Sequence, residues 1–259
     1  MHNNWQGEAE ALCASFAGQC GLVIRPLATP DQTVTYQPDR PFSAASLIKL
    51  PMLLTFCLEV QTGQLNAMQR YELRAAEMVP GSGILRDMLP GLQPTLADLA
   101  TLMIVLSDNT ATNMMIDVLG MDAVNETLVR FDLYDTHLRR KMYDWAAQAR
   151  GLENVTTAAD VARLLAVFWA DPALRPDMRS GALTILQRQF YDSKLPAWTP
   201  EPSRWAHKTG ELDDADHDAG FLLLEESAVI VALLTSGVTR PQRVRLANEI
   251  GQLVYDQFA

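Results

Sequence analysis

The sequence of 259 residues lacks the features of membrane-spanning and nucleic-acid-binding proteins. No apolar run approaches the length of about 18 residues that a membrane span requires. No basic run occurs either, and the formal net charge of −10 disfavours nucleic acid and anionic membrane surfaces as partners. These absences, with an apolar content of 48%, predict a globular protein that has a proper core and neither kind of partner.

Cysteine is scarce, and the spacing of the three cysteines does not fit a metal site. We interpret Cys13, Cys20 and Cys57 as reduced structural thiols. Residues 1–8 contain neither the basic segment nor the apolar segment of a secretory signal. We therefore expect a cytoplasmic protein, or a periplasmic or secreted one if a signal peptide has been removed.

A serine and a lysine three residues apart stand at the head of the apolar run 47–57, which predicts a helix buried on all sides. Because residues i and i+3 share a helix face, we expect Ser46 Oγ and Lys49 Nζ within hydrogen-bonding reach. Burial disfavours a charged lysine, and a neutral Lys49 can take the proton of a nucleophilic Ser46. Pro51 predicts a slight distortion of this helix directly below Lys49. Alone, this pattern also fits a serine that caps a buried helix.

A second polar motif, Ser107-Asp108-Asn109, follows the predicted helical run 96–106. The Ser107 hydroxyl can pass a proton to a leaving group. The Asn109 amide can bind a substrate carbonyl or orient Lys49. The alternative is a turn or helix cap without chemistry, since short polar residues favour such positions.

A third motif, Lys208-Thr209-Gly210, lies on a predicted strand near the end of the chain. The ammonium of Lys208 and the hydroxyl of Thr209 suit a substrate carboxylate. Gly210 lets a ligand approach the strand closely. An exposed strand of no special function is the alternative.

Strand patterns occur near both ends of the chain, and helical patterns dominate between residues 65 and 168. The predicted strands span residues 21–27, 33–37, 203–212, 219–224 and 228–236. We predict an α+β fold with one antiparallel sheet built from both termini and an inserted all-helical lobe. The α/β lobe comprises residues 1–62 and 183–259, and the helical lobe residues 63–182. Together they form one catalytic domain with its site in the cleft between the lobes.

The three motifs together resemble the active-site triplets of the penicillin-recognising serine hydrolases, which are the class A β-lactamases and the penicillin-binding D,D-peptidases. Residues 81–85 also resemble that family, and the order and spacing look most like class A over almost the whole chain. The resemblance implies an α/β/α sandwich plus a helical lobe. It implies no cofactor and no metal.

The resemblance also implies how the motifs act. Ser46 is the nucleophile, Lys49 its base and Ser107 a proton relay, while Asn109 lies beside the substrate. The substrate is a β-lactam, or a peptide-like amide or ester with a carboxylate, and it forms an acyl-enzyme that water hydrolyses. We expect a monomer with small-molecule substrates.

The resemblance gives the third motif a binding role. Lys208 and Thr209 would hold the substrate carboxylate, next to Gly210. The backbone N–H groups of Ser46 and Glu211 would form the oxyanion hole.

One departure from the family concerns the water that releases the acyl group. Class A enzymes use an omega-loop glutamate for this step. Counting back from Thr156, Met142 falls at that position. Asp144 is a possible substitute base, but we expect a salt bridge from Asp144 to Arg139 or Arg140 instead.

Three functions remain open from the sequence. The first is a β-lactamase-like hydrolase that turns over. The second is a penicillin-binding D,D-peptidase or esterase-like protein that is acylated but deacylates β-lactams poorly, which Met142 favours. The third is a non-catalytic relative, against which Ser46, Lys49 and Lys208 argue. We interpret the acidic segment 213–218 as a solvated hairpin rather than a metal site.

Overall fold

The computed structural model describes residues 4–259. Residues 1–3, which begin the predicted α/β lobe and the segment without signal features, lie outside the described residues. In the described part, the helices and strands follow in this order: α1 (Trp5–Ser15), β1 (Gln19–Pro26), β2 (Val34–Tyr36), β3 (Phe42–Ser43), α2 (Lys49–Gln61), α3 (Leu96–Val105), α4 (Asn109–Leu119), α5 (Met121–Arg130), α6 (Trp145–Ala149), β4 (Val155–Thr156), α7 (Ala158–Ala170), α8 (Pro176–Gln187), β5 (Trp205–Leu212), β6 (Ala215–Leu223), β7 (Ala228–Ser236) and α9 (Arg240–Phe258).

Five strands form one antiparallel sheet in the order β2-β1-β7-β6-β5. The central strand β7 is buried on both faces over most of its length, as its nearly continuous apolar sequence requires. It pairs with β1 from Gln19 opposite Ser236 to Pro26 opposite Val229. The first and last parts of the described chain therefore share one sheet, which confirms the predicted topology.

Helices cover both faces of this sheet. On one face α1 packs against α9, and the Trp5 ring meets the Phe258 ring edge-on at 5.2 Å between centroids. On the other face α7 packs against β7, β1 and β6, and the core continues into the helical lobe. The predicted α+β fold, an α/β/α sandwich with a helical lobe, is confirmed.

Helix α2, which the prediction assigns to the α/β lobe, packs against α3, α4, α5, α7 and α8 and is buried from Lys49 to Leu58. Ser46 lies outside it, in a separate 3₁₀ turn, Ala45–Ile48. Pro51 is therefore the third residue of α2. The backbone N–H that a proline lacks has no intrahelical partner in the first turn, so Pro51 removes no bond. Helix α8 contacts β5 as well as α3 and α7, and the predicted boundary between residues 182 and 183 falls inside it.

The acidic segment 213–218 differs from its interpretation as a solvated hairpin. Only Asp213 and Asp214 lie at the exposed turn, whereas Asp216, His217 and Asp218 are buried on β6, which begins four residues earlier than predicted. The prediction was wrong because cations that are distant in sequence pair with these acids. Arg243 Nε lies 2.8 Å from Asp216 Oδ2, for example.

Candidate active site

The turn that carries Ser46 packs directly against the end of β5. Ala45 enters the turn with φ of 46°, in the left-handed region that costs free energy for a residue other than glycine. A Cβ atom at Gly210 would lie 3.1 Å from Ala45 Cβ and 3.3 Å from the Ser46 nitrogen. Gly210 therefore allows the backbone of β5 to run alongside the serine.

A buried histidine holds the chain just before this turn. His217 Nε2 lies 2.9 Å from the Ser43 carbonyl oxygen, and the Thr235 N–H donates to His217 Nδ1 at 3.2 Å. This pattern requires a neutral imidazole that donates from Nε2. Burial lowers the pKa of His217 to about 4, so the neutral form persists at ordinary pH. His217 therefore supports the turn and does not form a Ser-His-Asp triad.

Lys49 is fully buried, and its ammonium donates three hydrogen bonds. The acceptors are the Ser107 carbonyl oxygen at 2.7 Å, Ser107 Oγ at 3.0 Å and Asn109 Oδ1 at 3.0 Å. Within residues 4–259 no hydrogen bond joins Lys49 to Ser46, contrary to the expected i to i+3 contact. The two residues lie in different helical segments, and the lysine is directed towards the second motif.

Burial gives Lys49 an unusual acidity. It lowers the pKa of the ammonium to about 7, although the negative charge of Asp108 acts in the opposite direction. All three acceptors of Lys49 are uncharged oxygens. A large fraction of Lys49 is therefore a free amine at neutral pH, and a free amine can accept a proton.

The second motif lies in the turn between α3 and α4. Ser107 has φ of 52° and is buried. Asp108 is the N-cap of α4: its Oδ1 accepts from the Ala111 N–H at 2.8 Å, and its Oδ2 accepts from the N–H groups of Ile84 and Leu85. The helix cap that we considered as an alternative therefore exists, but Asp108 forms it and leaves Ser107 and Asn109 facing Lys49.

Lys208 reaches the same serine from β5. It is fully buried and donates to Ser107 Oγ at 3.0 Å and to the Thr209 carbonyl oxygen at 2.7 Å. Burial, together with the charges of Lys49 and Lys194, holds the pKa of Lys208 well below its usual value. The alternative of an exposed strand is wrong, because Lys208 and Thr209 are both buried. Ser107 Oγ thus bridges the amino groups of Lys49 and Lys208, which come from separate parts of the chain.

An open cleft of about 470 Å³ lies above this cluster. Ser46 and residues 211–214 line it on the β5 side, and residues 140–154 contribute its opposite wall. Met142 lines the cleft, and Asn113 fixes its backbone through two hydrogen bonds of 2.8 and 3.0 Å. The exposed Trp145 packs edge-on against Tyr143 on the same wall.

Asp144 lies next to the cleft but has a different contact from the one predicted. Its Oδ1 accepts from the Ala147 N–H at 2.8 Å and caps α6. Arg140 pairs with Glu153, with Nε and Nη2 at 3.1 and 2.8 Å from Oε1. The predicted salt bridge from Asp144 to Arg139 or Arg140 is absent from the described residues. The spacing of Asp144 and Ala147 is that of a helix cap, a signal that sequence reasoning missed.

Sequence reasoning also missed the environment of the Glu211 side chain. Its carboxylate lies 2.7 Å from Lys194 Nζ and 2.8 Å from Arg240 Nη2. Burial raises the pKa of Glu211, but the charges of Lys194 and Arg240 outweigh burial and leave the pKa below its usual value. No local pattern marks this set, because its members come from three separate segments.

Residues 4–259 contain no group of three or more histidine, cysteine, aspartate or glutamate side chains placed to hold a metal ion. No helix within them is both long enough and apolar enough to cross a membrane.

Comparisons with known proteins agree with this geometry. The sequence model of the family described as "Beta-lactamase enzyme family" matches residues 6–258. Beta-lactamase Toho-2 from Escherichia coli is 27% identical over 251 residues, which cover 92% of this chain and 82% of that protein. A beta-lactamase structure from Sphaerobacter thermophilus is 29% identical, with a TM-score of 0.89 and 98% of each chain covered.

A third similar structure bears on the acyl-enzyme. It is a Leu-to-Glu mutant of PBP-A in an acyl-enzyme complex with penicillin G, 28% identical, with a TM-score of 0.87 over 98% of this chain and 96% of that chain. The family match covers nearly all of the described residues, and the three motifs meet at one cleft. The chain therefore belongs to the beta-lactamase enzyme family, as its motifs predict, and is a class A-like serine hydrolase.

Proposed function

We propose that Ser46 attacks β-lactams or related amides and esters to form an acyl-enzyme, and that the acyl-enzyme formed with a β-lactam hydrolyses slowly. The observation that carries this proposal is the state of Lys49. Lys49 is fully buried among neutral oxygens, and its pKa is about 7. Ser46 lies in the 3₁₀ turn directly before the helix that begins with Lys49.

The proton transfers follow from the contacts of Lys49. The neutral amine takes the proton of Ser46 Oγ once a bound substrate draws the two groups within hydrogen-bond distance. Ser46 Oγ then bonds to the carbonyl carbon, and the C–N or C–O bond of the substrate breaks. Ser107 Oγ, at 3.0 Å from Lys49 Nζ, passes a proton to the leaving nitrogen or oxygen.

Substrate binding falls to the residues beside Ser46. The N–H groups of Ser46 and Glu211 stabilise the oxyanion, at the place where Gly210 lets β5 approach the serine. Lys208 and Thr209 face the group next to the scissile bond. Asn109 orients Lys49 through its bond of 3.0 Å.

Slow deacylation follows from the wall of the cleft around Met142. A deacylating water needs a base, and the acids nearby already have other contacts. Asp144 caps α6, and Glu153 pairs with Arg140. The cap holds the Asp144 carboxylate through Oδ1 and directs it to the first turn of α6. The PBP-A mutant was captured as an acyl-enzyme with penicillin G, which supports the expectation that penicillins acylate this cleft.

A chromogenic cephalosporin tests the proposal when colour release and intact mass are followed together. We expect one stoichiometric burst and a lasting mass increase, both absent in Ser46→Ala. Steady colour with little adduct would contradict slow deacylation but would keep Ser46 as nucleophile. The absence of both colour and adduct would contradict the whole proposal.

A substitution at Met142 tests the missing base separately. Met142→Glu places a carboxylate in the cleft, and we expect the steady rate to rise by about 10²-fold, within the usual range for a positioned general base. Met142→Gln is the matched control, because it has nearly the same shape but cannot accept a proton from water. An equal rise in both variants would contradict a role for the carboxylate.

A further inference from the structure

The wall of the cleft beyond Gly210 carries three carboxylates, and one of them has a distinctive environment. Glu211, Asp213 and Asp214 all line the cleft. Only the Glu211 carboxylate is held by two cations at hydrogen-bond distance, at 2.7 Å from Lys194 Nζ and 2.8 Å from Arg240 Nη2. Lys194 is fully buried, whereas the Glu211 side chain is 42% exposed. Glu211 therefore forms the exposed side of this ion pair and is also a lining residue of the cleft.

The position of Glu211 on β5 places this charge next to the groups that would hold a substrate carboxylate. Residues two apart in a strand point to the same face and lie about 6–7 Å apart along it. Thr209 and Glu211 have this relation. The Thr209 hydroxyl has no hydrogen-bond partner within residues 4–259 and is available to a ligand. An anion bound at Thr209 would lie close to the Glu211 carboxylate.

We infer that Glu211 is a specificity-determining residue whose carboxylate occupies the anion site formed by Lys194 and Arg240. It disfavours acyl donors that bring a carboxylate to the Lys208–Thr209 end of the cleft, and it favours esters and amides that are neutral there. The inference rests on the proposed acylation of Ser46 and adds the substrate class.

The physical reason is that the positive charges of Lys194 and Arg240 are already compensated. Asp216 Oδ1 lies 3.5 Å from Lys194 Nζ and 3.5 Å from Arg240 Nε, so Glu211 and Asp216 together balance the two cations. A second free carboxylate meets repulsion from Glu211 and gains no unpaired cation from Lys194 or Arg240. Without the Glu211 charge, Lys194 keeps only the more distant Asp216 and can attract a substrate anion.

The test uses the full chain and two chromogenic cephalosporins, one with its free carboxylate and one with that carboxylate as a methyl ester. The second-order acylation constant is measured for each donor, and their ratio is compared between variants. In Glu211→Gln we expect the ratio of free acid to ester to rise by about tenfold or more. The ratio cancels any change in oxyanion stabilisation that both donors share. Raising the salt concentration should reduce the discrimination in the unmodified protein.

Two further variants keep the test decisive. Asp213→Asn removes an equal charge from the same wall, but Asp213 has no ion-pair partner within the described residues, so we expect the ratio to change less than twofold. Arg240→Gln removes an exposed cation from the anion site and should lower the ratio. The Arg240→Gln variant still tests the anion site if Glu211→Gln fails to fold.

The outcomes separate this inference from the proposed function. An unchanged ratio in Glu211→Gln, or an equal change in Asp213→Asn, would overturn the role of Glu211 while Ser46-dependent adducts still form. If neither donor gives an adduct that depends on Ser46, the proposed acylation itself fails.

Discussion

Three lysines near β5 are buried to the same extent but have different partners. Lys49 and Lys208 bond to hydroxyl, amide and carbonyl oxygens in and around the second motif, and we call this group the Ser107 cluster. Lys194 pairs with the carboxylates of Glu211 and Asp216, and Arg243 completes this second group, the Asp216 cluster. All three lysines are fully buried.

The difference shows how one residue type serves two purposes. Burial without a paired carboxylate lowers the pKa of Lys49 to about 7 and makes its proton transferable. Burial with paired carboxylates keeps a charge in place and ties distant segments together, as Lys194 and Arg243 do on β6. The Ser107 cluster should therefore control the acylation rate, and the Asp216 cluster should control stability.

The largest expected effect comes from removing the amine of Lys49 from the Ser107 cluster. Lys49→Met keeps the length and burial of the side chain but cannot accept a proton. We expect acylation to slow by about 10³-fold, within the range for loss of a general base, while the melting temperature stays close to its original value. Burst kinetics and thermal unfolding measure the two effects.

The same substitution at Lys141 is the matched control. Lys141 pairs with Asp117 on the surface, and Lys141→Met should change acylation less than twofold. Acylation of Lys49→Met within tenfold of the unmodified protein would show that another group takes the proton of Ser46.

The next largest effect concerns the Asp216 cluster. Asp216→Asn removes the charge that Arg243 and Lys194 share, and it leaves two buried cations short of a partner. We expect the free energy of unfolding to fall by about 3 kcal/mol, as for other broken buried ion pairs. Urea unfolding measures this change.

Glu249→Gln provides the comparison for a surface pair. Arg245 Nε lies 2.8 Å from Glu249 Oε1, but the Arg245 side chain is 72% exposed. The expected loss is below about 1 kcal/mol. Equal losses of unfolding free energy in Asp216→Asn and Glu249→Gln would show that the Asp216 cluster contributes no more to stability than a surface pair.

The smallest effect is the dependence of acylation on pH. Lys49 acts as a base only when neutral, and with a pKa of about 7 its neutral fraction falls as the pH drops. Between pH 8 and pH 6 that fraction decreases about tenfold, and the acylation rate of an ester without titrating groups should follow it. A flat profile over this range would mean that Lys49 does not change its protonation state before the rate-limiting step.

The sheet was predictable where each strand carries its own signal. The apolar run of β7 predicts bounds of 228–236, and the structure has the same bounds. Strand β6 was predicted too short because Asp216 and Asp218 look solvated in isolation. Their partners, Arg243 and His207, lie on other segments, and no local sequence pattern indicates such a pairing.

The site was predictable as a set of residues but not as a geometry. The three motifs name Lys49, Ser107 and Lys208, and the structure brings them together around one hydroxyl. The absence of a bond from Lys49 to Ser46 follows from the break between the 3₁₀ turn and α2, and Ala45 gives no glycine signal for that turn. The Lys194–Glu211 pair crosses between segments and leaves no trace in the spacing.

The position of β7 has a consequence for how the chain folds during synthesis. Strand β1 cannot pair with β7 until residue 236 has been made, some 200 residues later. At about 5–20 residues per second, the apolar hairpin of β1 and β2 waits on the order of ten seconds or more on the ribosome without its main partner. Pairing over such a separation is also slow. Helices α2 to α8 are made before β5 and can assemble locally, so Ser46 acquires its β5 neighbour only after residue 212 has been synthesised.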